Sequence, residues 1–264
     1  DTATDKAHRV VEAMRRAYHD RARYLGDPDF VTAPIAQLTS KDYAAERAAS
    51  IDAQQATLSS ALATVDATQD GDNTTHYSIV DAAGNRVAAT LSINIPFGAA
   101  LVAGNTGVLL NDEMDDFAMT AGVANIYGLV HGNANLIQPG KRPLSSMTPT
   151  FVEDDKGVLI LGTLGGSRII SMVLLTILDY LESPAPNLRT LVTAPRYHHQ
   201  YLPDHIEIEP NSFGAEWVKA LEQRGHTLKI ANRQWGNMQL VWVDKASGRS
   251  VAANDPRGED FGWY

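Results

Sequence analysis

The sequence predicts an α+β protein, and three features lead to this prediction. Near the N-terminus, apolar side chains recur at the three- and four-residue spacing of a helix. Two later pairs of short β-type runs flank turn-forming residues, as the strands of antiparallel hairpins do. Helical and alternating segments then follow one another, with no internal repeat. The predicted order is therefore helices first, then a mainly antiparallel sheet system with further helices. This order is typical of an α+β architecture.

The first helix is predicted over residues 4–25. Ala7, Val11 and Met14 belong to one apolar face, and arginine and aspartate side chains occupy the other. Gly26 is expected to serve as the C-cap that ends this helix.

A second helix is predicted from an N-cap at Ser40 to about residue 56. Residues 57–72 are small and polar, which is typical of a linker. Two hairpins are expected beyond it, with strands at 76–79, 87–93, 150–152 and 158–161.

The remaining elements follow a loop-rich region at 94–142, which contains many glycines. A span of that length without regular structure usually builds a site or a lid. Further helices are predicted over 167–181 and 213–224, and further strands over 228–231, 239–243 and 250–253.

Composition excludes several classes of protein. The net charge is −9 and no cluster of Lys or Arg interrupts it, so a nucleic-acid surface is not expected. The absence of cysteine excludes disulfides, a thiol nucleophile and Cys-ligated zinc. The densest apolar run, 169–178, is about half a bilayer span, so a soluble protein is expected. Residues 1–6 lack both Met and a signal-peptide core, so we expect a processed piece of a longer chain.

Several polar groups are candidates for chemistry, and each has an ordinary structural interpretation. His198 and His199 are adjacent and would point to opposite sides of a strand, which favours packing and hydrogen bonding over a shared metal. Residues 162–167 form a Gly-rich turn, either a mere tight turn or a helix N-terminus that binds an anion or oxyanion. Asp112, Glu113, Asp115 and Asp116 are either a solvated turn or an ammonium site, and Ser145 and Ser146 would ordinarily be a loop.

Long ordered motifs nevertheless resemble the γ-glutamyltranspeptidases, a family of N-terminal-nucleophile hydrolases. The matching segments, which cover nearly the whole chain, are residues 24–30, 74–98, 110–117, 142–147, 164–170, 194–200 and 255–257. Two departures keep the chemistry: Ser92 stands where the family usually has Thr, and Leu164 replaces a common Pro.

The resemblance implies a four-layer αββα sandwich and a precursor that cleaves itself between Asn73 and Thr74. Residues 1–73 would be the C-terminal end of the large subunit and residues 74–264 the small, catalytic subunit. The rest of the large subunit would be the partner in a heterodimer, and it would supply a carboxylate-binding arginine that this chain lacks. No cofactor or metal is expected.

The resemblance also assigns roles. Thr74 would be the nucleophile, with Thr75 and Ser92 orienting it, and Gly165 and Gly166 would hold the oxyanion. Glu113, Asp116 and Asn94 would bind the substrate ammonium, Ser145 and Ser146 its carboxylate, and Tyr127 would belong to a lid.

The implied activity is transfer of a γ-glutamyl group from donors such as glutathione to water, an amino acid or a dipeptide. One alternative is an acylase of the same fold that acts on glutaryl or cephalosporin side chains. Another is an uncleaved, inactive relative that serves as a binding module. A periplasmic or secreted location is expected from the family alone.

Overall fold

The computed structural model describes residues 2–62 and 74–258, and they divide into two compact units. Unit 1 takes its described residues from 2–62, 113–145 and 197–232. Unit 2 takes its described residues from 74–112, 146–196 and 233–258. Both units contain helices and strands, so the predicted α+β class is confirmed.

The elements of the described residues are as follows. The α-helices are α1 (Ala3–Tyr24), α2 (Ile35–Leu38), α3 (Lys41–Ala49), α4 (Arg168–Glu182), α5 (Leu188–Thr193) and α6 (Ala215–Gln223). The strands are β1 (Thr74–Val80), β2 (Arg86–Ser92), β3 (Thr150–Glu153), β4 (Gly157–Gly162), β5 (Tyr197–His198), β6 (Ile206–Ile208), β7 (Leu228–Ile230), β8 (Gln239–Asp244) and β9 (Ser250–Asn254). Short 3₁₀ helices cover Ser59–Leu62, Glu113–Asp116 and Asn133–Asn135.

Helix α1 ends at the predicted place, but for a different reason. Its C-cap is Leu25, whose backbone is extended at φ −89° and ψ 138°. Gly26 is therefore not a left-handed C-cap, and that prediction was wrong. A Cβ on Gly26 would lie 2.2 Å from the carbonyl oxygen of Ala134, so glycine is required by the close approach of another segment of unit 1.

The charged face of α1 is buried rather than solvated. Glu12 accepts hydrogen bonds from Arg15 at 3.2 Å, from Arg16 at 2.6 Å and from the backbone N–H of Thr57 at 3.1 Å. Arg16 also donates to the carbonyl oxygen of Ser50 at 2.9 Å. The segment that follows α3 therefore covers this face, which helical periodicity alone does not indicate.

Helix α3 begins where it was predicted and ends early. The Ser40 side chain accepts a hydrogen bond from Tyr43 N at 3.1 Å, which confirms the N-cap. The helix stops at Ala49, well before residue 56. Most of the predicted linker, residues 63–72, lies outside the described residues.

Unit 2 is built on a four-stranded antiparallel sheet in the order β3-β4-β8-β9. The β1-β2 hairpin lies against β4 and β8, and α4 and α5 also pack on this sheet. All of β4 is buried, as expected for a strand covered on both faces. Both predicted hairpins and strands β8 and β9 are confirmed.

Unit 1 contains a three-stranded sheet in the order β5-β6-β7, in which β6 and β7 are parallel. The sequence predicted β7 and the helices α4 and α6, but missed α2, α5, β5 and β6. Strand β6 spans only Ile206–Ile208, which is too short to show a periodicity.

Candidate active site

The site residues named from the sequence belong to both units. Unit 2 contains Thr74, Thr75, Ser92, Asn94, Ser146, Gly165 and Gly166. Unit 1 contains Glu113, Asp116, Tyr127 and Ser145.

In unit 2, the β1-β2 register brings two hydroxyl groups together. Thr74 and Ser92 are the first cross-strand pair of the hairpin, and their side-chain oxygens lie 3.1 Å apart. Either hydroxyl can donate in this hydrogen bond. Thr75 pairs with Leu91 and is exposed, because successive side chains of a strand point to opposite faces. The structure therefore joins Ser92, but not the Thr75 side chain, to the Thr74 hydroxyl.

Asn94 lies just beyond the hairpin and is held by both its backbone and its side chain. Its backbone N–H donates to Ser92 Oγ at 2.9 Å, and its side-chain amide donates to the carbonyl oxygen of Asp112 at 3.3 Å. The residue is 2% exposed and has φ of 72°, a left-handed conformation that asparagine tolerates better than most residues. The Ser92 hydroxyl thus contacts both Thr74 and Asn94.

The Gly-rich turn joins β4 to α4. Gly165 has φ of 138° and Gly166 has φ of 53°, values that L side chains rarely adopt, and both residues are buried. The turn is braced by Thr163, whose hydroxyl donates to the carbonyl of Leu164 at 2.8 Å and accepts from Asn237 N at 2.9 Å. The backbone N–H groups at the start of a helix are suited to stabilising a negative charge.

In unit 1, Glu113 and Asp116 lie at the two ends of one 3₁₀ turn. Burial, followed by a hydrogen bond and charge repulsion from Glu113, raises the pKa of Asp116 to about 8. The pair therefore holds a proton near neutral pH. A cation bound beside the two carboxylates would favour loss of that proton, because opposite charge lowers a carboxyl pKa.

Two buried asparagines, which no sequence motif indicates, organise the surroundings of Asp116. Asn135 is fully buried; its amide donates to the Asp116 carbonyl at 2.6 Å, and its side-chain oxygen accepts from Leu144 N at 3.1 Å. Asn135 thereby connects the acidic turn with the residue before Ser145. No motif in the sequence distinguishes this asparagine from its neighbour Asn133.

Asn125 shapes the segment that contains Tyr127. Its side-chain oxygen accepts hydrogen bonds from Tyr127 N at 3.0 Å and Leu129 N at 3.1 Å. Tyr127 is 4% exposed, and Gln200 donates to its carbonyl at 3.0 Å. The predicted lid residue is thus packed into unit 1.

Ser145 is exposed and Ser146 half-buried, in a segment without regular structure. The segment is anchored at Arg142, whose side chain donates to Asp27 at 3.0 Å through Nε and at 2.5 Å through Nη2. The hydrogen bonds that the Arg142 side chain donates are the main cause of the lowered pKa of Asp27.

The adjacent histidines make separate hydrogen bonds. His198 Nε2 lies 2.8 Å from Gln200 Oε1, and His199 Nε2 lies 3.3 Å from Asp204 Oδ1. Within residues 2–62 and 74–258 no group of His, Asp and Glu is arranged to hold a metal ion. None of the helices in that part of the chain has the length and apolarity that crossing a bilayer requires.

Comparison with known proteins gives consistent matches. A family model described as gamma-glutamyltranspeptidase matches residues 1–263. The chain is similar to a glutathione hydrolase proenzyme from Pseudomonas sp. (strain A14), with 48% identity over 260 residues that cover 95% of this chain and 45% of that protein. The chain therefore spans about half the length of the curated relatives it matches.

Solved structures show the same likeness. The gamma-glutamyltranspeptidase from Pseudomonas nitroreducens, in complex with L-DON, is 41% identical with a TM-score of 0.66, and the match covers 72% of this chain and 98% of that one. A cephalosporin acylase from Bacillus halodurans is 25% identical with a TM-score of 0.74, and the match covers 97% of this chain and 44% of that one. The fold predicted for N-terminal-nucleophile hydrolases is confirmed by these matches.

Proposed function

This chain belongs to the γ-glutamyltranspeptidase family, and on that premise we propose that it is part of a γ-glutamyltransferase with glutathione hydrolase activity. In this proposal residues 1–73 end a large subunit, residues 74–264 form the small subunit, and the rest of the large subunit is the partner. The observation that carries the proposal is the Thr74 hydroxyl, which lies at the start of β1, 3.1 Å from Ser92 Oγ.

Self-cleavage comes first. Thr74 Oγ attacks the carbonyl carbon of Asn73, the bond to the Thr74 nitrogen breaks, and the hydroxyl proton ends on that nitrogen. Water then hydrolyses the resulting ester, which leaves a carboxylate on Asn73 and a free hydroxyl and α-amine on Thr74. An α-amine has a reference pKa of about 8, so it can act as a base near neutral pH.

The same hydroxyl then serves in turnover. The α-amine accepts the Thr74 Oγ proton as the oxygen attacks the γ-carbonyl of the donor. Backbone N–H groups at Gly165 and Gly166 stabilise the oxyanion, and the proton passes to the departing amine as the tetrahedral intermediate collapses. Water or an acceptor amine resolves the γ-glutamyl ester and regenerates the hydroxyl.

Recognition of the donor requires groups for its ammonium and its carboxylate. We assign the ammonium to Glu113, Asp116 and Asn94, and the carboxylate to Ser145 and Ser146. The raised pKa of Asp116 supports the first assignment, because an ammonium ion would replace the proton that the acidic pair holds. Thr75 as an orienting group and Tyr127 as a lid residue remain parts of the proposal.

The main rival is an acylase for glutaryl or cephalosporin side chains, which the likeness to the Bacillus halodurans acylase keeps open. A glutaryl substrate lacks the α-amino group, so the half-buried acidic pair would have no ammonium partner in it. The two functions are therefore distinguished at Asp116.

The experiment compares γ-glutamyl-anilide with glutaryl-anilide as donors for the full-length precursor. We expect the γ-glutamyl donor to be turned over faster, and Asp116→Asn to lower its kcat/KM roughly 100-fold while changing the glutaryl rate little. Asp155→Asn, which alters an exposed aspartate in unit 2, is the control. Faster turnover of the glutaryl donor by the unaltered enzyme would contradict the proposal.

A periplasmic or secreted location is also proposed for the full-length protein, and its support is the resemblance to the family alone. Fractionation of cells that express the full-length gene tests it. Activity confined to the cytoplasmic fraction would overturn this part of the proposal.

A further inference from the structure

A histidine lies one step along β1 from the proposed nucleophile. His76 is two residues after Thr74, so both side chains point to the same face of the hairpin. Thr74 pairs with Ser92, and His76 pairs with Thr90, the next position on that face. The His76 ring is 6% exposed. No step of the proposed mechanism uses it.

The His76 ring occupies the space in front of Gly162, the last residue of β4. A Cβ built on Gly162 would lie 2.2 Å from Cε1 and 2.3 Å from Nδ1 of the ring. Gly162 does not have a positive φ, so the ring, not the backbone conformation, requires glycine here. The turn that contains Gly165 and Gly166 begins just beyond this contact.

Hydrogen bonds continue from the ring to the same turn. His76 Nε2 lies 3.1 Å from Ser78 Oγ, whose hydroxyl donates to the carbonyl of Gln239 at 3.3 Å. Gln239 pairs with Gly162 across the sheet, and its amide donates to Asn237 Oδ1 at 2.6 Å. Asn237 N in turn donates to Thr163 Oγ1, the hydroxyl that braces the turn.

These contacts fix the protonation of the ring. Because the Ser78 hydroxyl donates to a carbonyl, its oxygen accepts the proton of His76 Nε2. Nδ1 then accepts from Thr90 Oγ1, which lies 2.8 Å away. Burial lowers the pKa of His76 to about 4, so the ring is neutral at neutral pH. Both nitrogens and the hydrogen bond from Ser78 to Gln239 are satisfied together only in this tautomer.

We propose that His76 is a positioning residue that sets the distance between the Thr74 hydroxyl and the oxyanion turn at Gly165 and Gly166. Its flat ring spaces β1 from β4 at Gly162, and its two nitrogens fix its orientation. This inference rests on the proposed function. A misplacement of reacting groups by about 1 Å can lower a rate roughly 100-fold, so a spacer beside both groups affects the chemical step.

The test is a double-mutant cycle in the full-length precursor, with Gly162→Ala, His76→Ser and the two combined. We expect Gly162→Ala to lower kcat roughly 100-fold at unchanged KM, because the new methyl group displaces the ring. His76→Ser should lower kcat about tenfold, and the double variant should match His76→Ser, since contacting residues are coupled. Gly214→Ala, where φ is −70° and no atom lies within 4 Å of the added Cβ, is the control.

Two readouts accompany the kinetics: the rate of self-cleavage, from intact mass, and thermal unfolding. A double variant whose kcat loss equals the product of the two single losses overturns the proposal, as does a Gly162→Ala variant that loses thermal stability but keeps kcat. An unaltered enzyme without γ-glutamyl turnover contradicts the proposed function instead. In that case the double-mutant cycle is measured on the rate of self-cleavage, where the same coupling between Gly162 and His76 is expected. Independent losses of that rate in the two single variants would overturn the role of His76.

Discussion

The candidate groups of the two units differ in kind and in what holds them in place. In unit 2, the groups are uncharged hydroxyls and backbone amides, and strand register places them, as in the Thr74–Ser92 pair at 3.1 Å. In unit 1, Glu113 and Asp116 are carboxyl groups that repel each other when both are charged, and burial raises the pKa of Asp116 to about 8. Geometry set by register does not depend on pH. Recognition by half-buried carboxyl groups responds to both pH and ligand.

The same contrast extends to the packing of each unit. Strand β4 is buried along its whole length and is apolar from Val158 to Leu161. Helix α1 instead buries Glu12 between Arg15 and Arg16, at 0–4% side-chain exposure. An apolar core contains no charged group, so a change in the protonation of a side chain elsewhere does not affect it directly. A buried charge that is left without its partner is, in contrast, strongly destabilising. Substitutions should therefore affect rate chiefly in unit 2, and binding, stability and pH dependence chiefly in unit 1.

The largest effect on the unit 2 side is expected from Gly166→Ala. The residue has φ of 53°, so a side chain would force the turn to move and would displace its N–H groups. Losing one oxyanion donor costs roughly 100- to 1,000-fold in kcat, and we expect a loss of that order with little change in KM. Steady-state kinetics with a γ-glutamyl donor measures it.

The matched control for Gly166→Ala is Gly84→Ala in the β1-β2 turn. Gly84 also has a positive φ, 83°, but no atom lies within 4 Å of an added Cβ. Its substitution should lower stability and leave kcat unchanged. Equal losses of kcat in the two variants would contradict a specific role for the β4-α4 turn.

A smaller, different effect is expected from Asn135→Ala in unit 1. The change leaves the Asp116 carbonyl and Leu144 N without their partner, and an unsatisfied buried group costs about 1–3 kcal/mol of unfolding free energy. Because Asn135 connects the acidic turn to the serine segment, KM for the γ-glutamyl donor should rise more than kcat falls. Chemical denaturation and kinetics measure the two effects.

Asn133→Ala alters an exposed asparagine in the same 3₁₀ helix and serves as the control. Its stability and KM should match those of the unaltered protein. If Asn135→Ala lowers kcat without raising KM, the proposed link between Asn135 and donor binding is wrong.

A separate effect, on stability rather than on activity, is a pH dependence that Asp116→Asn should remove. The pKa of Asp116 is about 8 in the folded protein, against an ordinary aspartate value of 3.8, so the folded state holds a proton that the unfolded state releases between these values. Stability from this group is present below about pH 4 and is lost as pH rises towards 8. Thermal unfolding at pH 5 and pH 8 should show Asp116→Asn gaining Tm, relative to the unaltered protein, at the higher pH. An equal difference at both pH values would contradict a raised pKa.

Local patterns were sufficient for most of the fold. Both hairpins, helix α4 and the Ser40 cap depend on neighbours in the sequence, and each was predicted at nearly its observed position. Gly26 shows where local reasoning fails, because it needs to be glycine for a contact with Ala134, far along the chain.

Site residues could be predicted from the sequence only where they belong to a motif of the family. Motifs named Thr74, Asp116 and the glycine turn, but the supporting side chains Asn135 and His76 came from the structure. Their roles depend on contacts across a hairpin, a sheet or a long loop. A single sequence contains no signal for such distant pairs, since each side chain looks like an ordinary polar residue of its segment.

The central claim, that Thr74 becomes an N-terminal nucleophile, is tested most directly by intact-mass measurement of the full-length precursor alongside its activity. We predict two fragments that separate between Asn73 and Thr74, no cleavage and no turnover for Thr74→Ala, and slow cleavage with partial activity for Thr74→Ser. Before cleavage the Thr74 nitrogen is an amide and cannot serve as a base. A precursor that turns over γ-glutamyl donors while its Asn73–Thr74 bond stays intact would contradict the account.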